Sequence, residues 1–139
     1  MSRHKSYKNL SDRQTLNVPV HSDARGSLFP SNNNQLPFAP KRSFVVYDVP
    51  NGETRGHHAH HKTEQILSCL SGKLKIVLKN PEGQSAEFAL KKGQAIHQFP
   101  YEWAEITFES NGILHAICST DYDEKDYIRD YTEFLSCRG

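Results

Sequence analysis

Short apolar runs separated by turn-forming residues dominate the middle of this 139-residue chain. Residues 43–49 are rich in β-branched and aromatic side chains and are followed by Pro-Asn-Gly, which is typical of a strand and its end. Leu74, Ile76 and Leu78 alternate with lysines, which predicts a strand with one side facing water. We therefore expect a protein built mainly from β-strands.

Two turn signals lie within this strand-like region. Residues 64–70 alternate and run into Ser71-Gly72, so residues 64–79 are predicted to form a β-hairpin. Ser-Asn-Gly at residues 110–112 separates two further apolar segments and predicts another turn. Many short strands joined by regular turns are typical of an all-β barrel or sandwich.

Only the C-terminal tail carries a helical period. Tyr127, Ile128, Tyr131, Phe134 and Leu135 fall on one face of a helix, so a short helix is predicted there. Six acidic residues of the same region are interpreted as its solvated side, and they are Asp121, Asp123, Glu124, Asp126, Asp130 and Glu133.

Length and charge limit the possible functions. The length predicts one domain spanning residues 1–139, because single cores usually contain roughly 100–200 residues. Seventeen basic against sixteen acidic residues give a net charge of +1, so we expect no bulk electrostatic binding to nucleic acid. Residues 1–14 are polar and basic, and we expect a poorly ordered or edge-pairing arm.

Apolar runs and cysteines point to a cytoplasmic protein. No run is long enough for a transmembrane helix, and the first residues show no apolar signal-peptide region. We therefore expect no membrane partner. Cys69, Cys118 and Cys137 are odd in number and widely spaced, which fits reduced thiols better than a disulfide framework.

Four of the eight histidines lie within five positions. On a strand, His58 and His60 point to one side, while His57, Ala59 and His61 point to the other. Such a pair can hold a metal or transfer protons, since neutral imidazole is the natural proton carrier near pH 7. A solvated histidine-rich strand is the structural alternative.

The spacing of Gly52, His58-Ala59-His60, Gln65 and Gly72 resembles the first signature of the cupin superfamily, whose fold is a jelly roll. In metal-binding cupins an acidic ligand stands where this chain has Gln65, and a carboxamide is a poor ligand for transition metals. Glu64 could replace it only with a shift in register. We therefore expect no metal and interpret the two histidines as proton carriers.

Two longer motifs extend this resemblance over most of the chain. They read RGxHAH at residues 55–60 and YDExDYIRDYxxF at residues 122–134, and shorter matches occur at residues 23–28, 37–38, 41–42 and 47–50. This combination resembles the nucleotide-sugar 3,4-ketoisomerases of the WxcM-like cupin family.

The resemblance implies a cupin-type jelly roll with a short C-terminal helix, no required cofactor and a homodimer. It implies an enzyme that moves a ketone from C4 to C3 of a dTDP-linked 4-keto-6-deoxy sugar, in deoxysugar and polysaccharide biosynthesis. In that family the pair matching His58 and His60 carries the proton transfers through an enediol.

Seven residues are candidates for binding the substrate, and they are Arg25, Lys41, Arg42, Tyr47, Arg55, Gln65 and Trp103. Arginine suits phosphate, and a cation or hydroxyl near the ketone acidifies the neighbouring C–H. Structural alternatives are surface ion pairs for the arginines and core packing for Tyr47 and Trp103.

Two other functions stay open at this point. One is a metal-dependent cupin enzyme, such as a small dioxygenase or phosphosugar isomerase. The other is a non-catalytic cupin that binds a nucleotide sugar.

Overall fold

A computed structural model describes residues 9–137. In chain order the strands are β1 (Leu16–Asn17), β2 (His21–Asp23), β3 (Gly26–Leu28), β4 (Arg42–Val46), β5 (Thr54–His60), β6 (Gln65–Lys79), β7 (Ser85–Lys91), β8 (Gln94–Gln98), β9 (Trp103–Cys118) and β10 (Tyr127–Ile128). An α-helix, α1 (Tyr131–Leu135), follows the last strand, and 3₁₀ turns occupy Leu10–Asp12, Asn33–Gln35 and Glu124–Asp126. The predicted all-β jelly roll with a short C-terminal helix is confirmed.

The two longest strands, β6 and β9, organise this jelly roll. They pair antiparallel along their whole length, from Gln65 with Cys118 to Lys79 with Trp103. The first half of β6 also pairs with β8 and its second half with β7. In the same way β9 pairs with β5 and then β4. One eight-stranded sheet therefore runs through both long strands, and β2 and β3 form a separate two-stranded sheet.

The predicted hairpin at Ser71-Gly72 is wrong, because the chain bends there without reversing. Register shifts on both sides of Ser71 mark a bulge in β6. A side chain at Gly72, whose φ is +68°, would collide with the Ser110 carbonyl, and one at Gly112 would lie 2.5 Å from the Lys73 carbonyl oxygen. The two turn signals therefore mark a shared bend, where β6 and β9 approach too closely for a Cβ atom.

Buried apolar residues form two clusters. The larger one fills the barrel and includes Leu67, Leu74, Ile76, Phe108 and Leu114. The smaller one lies on the opposite side of β5 and consists of Ala59, Trp103, Ile128 and Phe134.

The described part of the N-terminal arm packs on the barrel. Leu10 is 2% exposed and belongs to the larger cluster. Arg13 donates two hydrogen bonds to the Glu102 carboxylate, at 2.8 and 2.6 Å. Leu16 then pairs with Ala95 at the sheet edge. The rest of the predicted arm, residues 1–8, lies outside the described residues.

The tail is helical over a shorter range than its apolar period predicts. Tyr127 and Ile128 form β10 and pair with His60 and Ala59 of β5, so the predicted helix is wrong for its first part. The helix begins after Asp130, whose carboxylate accepts a hydrogen bond from a backbone N–H of the first turn. No helix within residues 9–137 is long and apolar enough to cross a membrane.

Candidate active site

Strand β5 carries His58 and His60 on the same side of the backbone, as its alternation predicts. Their ring centroids lie 5.1 Å apart and the rings are nearly perpendicular, at 86°. A register shift between Gly56 and His58 places His57 at φ +55°. Because of this bulge, the His57 side chain is exposed and lies apart from the pair.

An internal cavity of about 110 Å³ lies beside His58. Its wall is mainly apolar and includes Phe44, Val46, Leu67, Ile106, Phe108 and Leu114. Arg55, Gln65 and Gln98 supply further polar groups. A mostly apolar cavity with a few convergent polar groups is typical of a small-molecule site.

His58 is held in its neutral form. Burial lowers the pKa of its imidazole to about 4, and the nearby His60 and Arg129 act in the same direction. Its Nδ1 atom is buried and has no hydrogen-bond partner among the described residues. At neutral pH this ring can therefore accept a proton.

His60 is buried and differs from His58 in having a carboxylate partner. It is 1% exposed, and its Nδ1 lies 3.1 Å from Oδ2 of Asp126. Burial lowers the pKa of His60 and outweighs the opposite effect of Asp126. Its Nε2 atom is buried without a partner in the described part of the chain.

The Tyr127 ring packs against both histidines. Its ring centroid lies 5.0 Å from that of His58 and 4.5 Å from that of His60. The Arg42 guanidinium donates to its hydroxyl at 3.4 Å, and the Arg129 guanidinium lies 4.3 Å from its ring centroid. Cations therefore flank the ring that covers the imidazoles.

Sequence reasoning missed Asp126 and Tyr127 because it assigned them to a helix. The signal that separates the two elements is a pair of capping aspartates seven residues apart. Asp123 caps the 3₁₀ turn that ends at Asp126, and Asp130 caps α1. Each aspartate starts its own element, and β10 lies between them.

Three of the predicted binding residues, Arg42, Arg55 and Gln65, lie near the histidines, while Tyr47 is exposed on the surface. Arg42 contacts Tyr127, and Arg55 lines both the cavity and an adjoining outer cleft of about 550 Å³ that includes Tyr47. Gln65 is buried in the cavity wall and donates to Gln98 Oε1 at 2.7 Å.

Of the seven candidates only Arg55 and Gln65 line the cavity itself, and the remaining three lie elsewhere on the barrel. Arg25 lies on the β2–β3 hairpin and pairs with Asp23 at 2.7 Å, with its side chain 90% exposed. Lys41 lines a cleft that also includes His115, on the outer side of β9. Trp103 is 4% exposed in the smaller apolar cluster, and its indole donates to Glu105. The expectation for Trp103 is therefore corrected to a packing residue behind β5.

The donor set near the histidines is poor in carboxylates. Gln65 stands where metal-binding cupins carry an acidic ligand. Its side-chain amide is hydrogen-bonded to the side chain of Gln98. Within residues 9–137, no group of three or more histidine, cysteine and acidic side chains is arranged to hold a metal ion.

Comparison with known proteins places this geometry in a family. The family model FdtA, described as WxcM-like, C-terminal, matches residues 11–139. A curated relative, the TDP-4-oxo-6-deoxy-α-D-glucose-3,4-oxoisomerase of Aneurinibacillus thermoaerophilus, is 34% identical over 127 residues and covers 88% of this chain and 90% of its own length.

Solved structures agree with this match. The sugar 3,4-ketoisomerase QdtA of Thermoanaerobacterium thermosaccharolyticum, solved with TDP, superposes with a TM-score of 0.81 at 30% identity, over 92% of this chain and 95% of its own. A 3,4-ketoisomerase of Helicobacter canadensis gives 0.79 at 34% identity, over 90% and 96%. The fold, the paired histidines and these matches show that the chain belongs to the WxcM-like, C-terminal family.

Proposed function

We propose that this chain is a TDP-sugar 3,4-ketoisomerase that converts a TDP-4-keto-6-deoxyhexose to the 3-keto sugar. The observation that carries the proposal is the His58–His60 pair, in which each ring keeps a buried nitrogen without a partner among the described residues. The activities named for the relatives support it.

The reaction needs proton transfer and no external oxidant. Removal of the proton on C3, next to the C4 ketone, gives an enediol. A proton returns to C4 and the hydroxyl proton moves from O3 to O4, so C3 is oxidised while C4 is reduced. His58 and His60 both favour the neutral form, which fits a pair that removes and returns protons. We assign His58 to C3 and His60 to C4 or the oxygens.

Positive charge near the pair supports binding of the nucleotide sugar. Arg42 and Arg55 are assigned to the pyrophosphate or the ketone oxygen, because guanidinium groups bind phosphate with two parallel hydrogen bonds. Tyr47 and Gln65 complete the proposed contacts. A donor to the ketone oxygen stabilises the charge that develops there as the proton leaves C3.

The test is incubation with TDP-4-keto-6-deoxyglucose in D₂O, followed by NMR. We expect the 3-keto product and deuterium from solvent in the sugar ring. His58→Ala and His60→Ala should each lower the rate about 10²–10⁴-fold, as expected for loss of a general base. His57→Ala is the matched control, because His57 is exposed and lies across the bulge.

Two results would contradict the proposal. TDP binding by calorimetry without any exchange between pH 6 and 8 would favour a nucleotide-sugar sensor. Turnover that requires a stoichiometric metal ion would favour a metal-dependent cupin enzyme.

The proposal includes a homodimer that acts in the cytoplasm, with residues 1–139 as a single domain. Leu16 and Leu28 are exposed by 43% and 64%, which fits an apolar surface covered by a second copy. Cys69 and Cys118 are buried cysteines with free thiols, which fits a reducing compartment. Light scattering of the purified protein tests the dimer, and a mass near 16 kDa would overturn it.

A further inference from the structure

We propose that Asp126 is a positioning residue, which fixes the tautomer of His60 and so makes Nε2 the ring atom that exchanges protons. This inference deepens the proposed function and rests on it. The observations behind it are the 3.1 Å contact between His60 Nδ1 and Asp126 Oδ2, and the buried Nε2 that lacks a partner among the described residues.

Hydrogen-bond donors surround the Asp126 carboxylate. Oδ1 accepts the backbone N–H of Lys62 at 2.7 Å. Oδ2 accepts the hydroxyl of Thr63 and, at 3.3 Å, its backbone N–H. Burial raises the pKa of Asp126, but the bonds from Thr63, Lys62 and His60 outweigh it, and the pKa lies below its usual value. The group is therefore a carboxylate at neutral pH.

A carboxylate can only accept, so the ring nitrogen that faces it has to donate. Neutral imidazole carries one N–H, and in His60 that hydrogen is on Nδ1. The lone pair is then on Nε2. The two histidines therefore differ, because the described residues offer His58 Nδ1 no partner that would fix its tautomer.

Backbone contacts fix the position of the 3₁₀ turn that carries Asp126 relative to strand β5. The Asp126 carbonyl accepts the N–H of His61 at 2.9 Å, and Tyr127 pairs with His60 in the sheet. Thr63 Oγ1 lies 2.6 Å from Thr120 Oγ1, so the hydroxyl that donates to Asp126 can accept from Thr120. Backbone pairing with β5 and the hydroxyls of Thr63 and Thr120 therefore both fix the position of the Asp126 carboxylate next to the His60 imidazole.

Asp126→Asn tests the inference, because the fixed donors determine how the amide sits. A backbone N–H faces each oxygen, but the Lys62 bond to Oδ1 is the shorter one, at 2.7 Å against 3.3 Å for Thr63 to Oδ2, and the Thr63 hydroxyl can turn to accept. The amide oxygen is therefore expected at the Lys62 N–H and the new NH₂ group at His60 Nδ1. It would donate to Nδ1 and move the ring proton to Nε2. We expect ¹⁵N NMR to show His60 as the Nδ1–H tautomer in the natural protein and the Nε2–H tautomer in the variant.

The activity readout follows from the tautomer. With Nε2 protonated, solvent exchange into TDP-4-keto-6-deoxyglucose should fall about 10²–10⁴-fold, while TDP affinity measured by calorimetry stays within a few fold. Asp121→Asn is the matched control, since it removes the same charge from an exposed residue nearby in the chain. It should leave the tautomer and the rate unchanged.

Two outcomes would overturn the inference. One is a natural protein in which His60 carries its proton on Nε2, a measurement that stands even if Asp126→Asn fails to fold. The other is a folded Asp126→Asn that exchanges at the natural rate. A natural protein with no isomerase activity would contradict the proposed function. The ¹⁵N NMR measurement of the His60 tautomer would still test the role of the Asp126 contact.

Discussion

At the scale of single residues, the neutral state of His58 is the feature with the clearest measurable consequence. NMR titration should give its imidazole a pKa of about 4. Tyr127→Ala removes a ring 5.0 Å away and admits water, so the pKa should rise towards 6.5. Tyr131→Ala, behind β5 against Trp103, is the control and should leave it in place. An unchanged pKa in Tyr127→Ala would contradict burial as the cause.

The same residue makes stability depend on pH. His58 has a folded pKa of about 4 against 6.5 when unfolded, so the unfolded chain binds more protons between these values. Its contribution is present above pH 6.5 and is lost as the pH falls to 4, by about 3 kcal/mol in total. Urea unfolding at pH 7 and pH 5 should show this loss, and His58→Asn should show a smaller one. Equal losses in both proteins would refute the assignment.

The sequence predicts the histidine pair but not its surroundings. Side-chain alternation depends only on strand geometry, so His58 and His60 follow from local spacing. Asp126 reaches His60 across 66 positions of the chain, and no local pattern contains that contact. Trp103 is a useful contrast, because its burial depends on Phe134 of the C-terminal helix. Alternation along a strand does not indicate which of its two sides a later helix will cover.

At the scale of elements, the bend shared by β6 and β9 depends on two glycines. Gly72→Ala should destabilise the fold by about 2–4 kcal/mol, because it adds a collision with the backbone to the strain of a positive φ. Gly83→Ala is the matched control, with φ +91° but open space around it, and should cost about 1–2 kcal/mol. Thermal unfolding of both variants compares them. Equal losses would mean that the close approach of the strands is unimportant.

Turn signals at this scale were correctly located and wrongly interpreted. Glycine at residues 72 and 112 indicates a place where the backbone leaves no room for a side chain. Both a hairpin turn and a bulge create such a place, so glycine alone does not distinguish them. The tail shows the same ambiguity. Tyr127 and Phe134 share a helical period, yet the backbone of Tyr127 forms its hydrogen bonds with β5 instead of extending the five-residue helix.

At the scale of the whole molecule, a buried ion pair ties the N-terminal segment to the barrel. The Arg13 and Glu102 side chains are 9% and 2% exposed. Arg13→Ala would leave the Glu102 carboxylate buried without its cationic partner, and we expect a loss of about 3–5 kcal/mol in the free energy of unfolding.

Arg25→Ala is the comparison, because its pair with Asp23 is exposed to water and should contribute less than about 1 kcal/mol. Chemical denaturation of both variants measures the difference. If Arg13→Ala were as mild as Arg25→Ala, the N-terminal segment would not be part of the stable fold.

Because β6 and β9 run through the whole eight-stranded sheet, neither half of this sheet can separate from the other without breaking the pairing of these two strands. Backbone amides in the two halves of β6, at Leu67 and Ile76, should therefore exchange with deuterium at one common rate, set by global unfolding. Amides of the exposed β2–β3 hairpin should exchange much faster through local opening. The histidine strand β5 is thus carried by a scaffold that opens all at once, and the proposed substrate would have to reach His58 from the outer cleft that Arg55 shares with the cavity rather than by opening of the barrel.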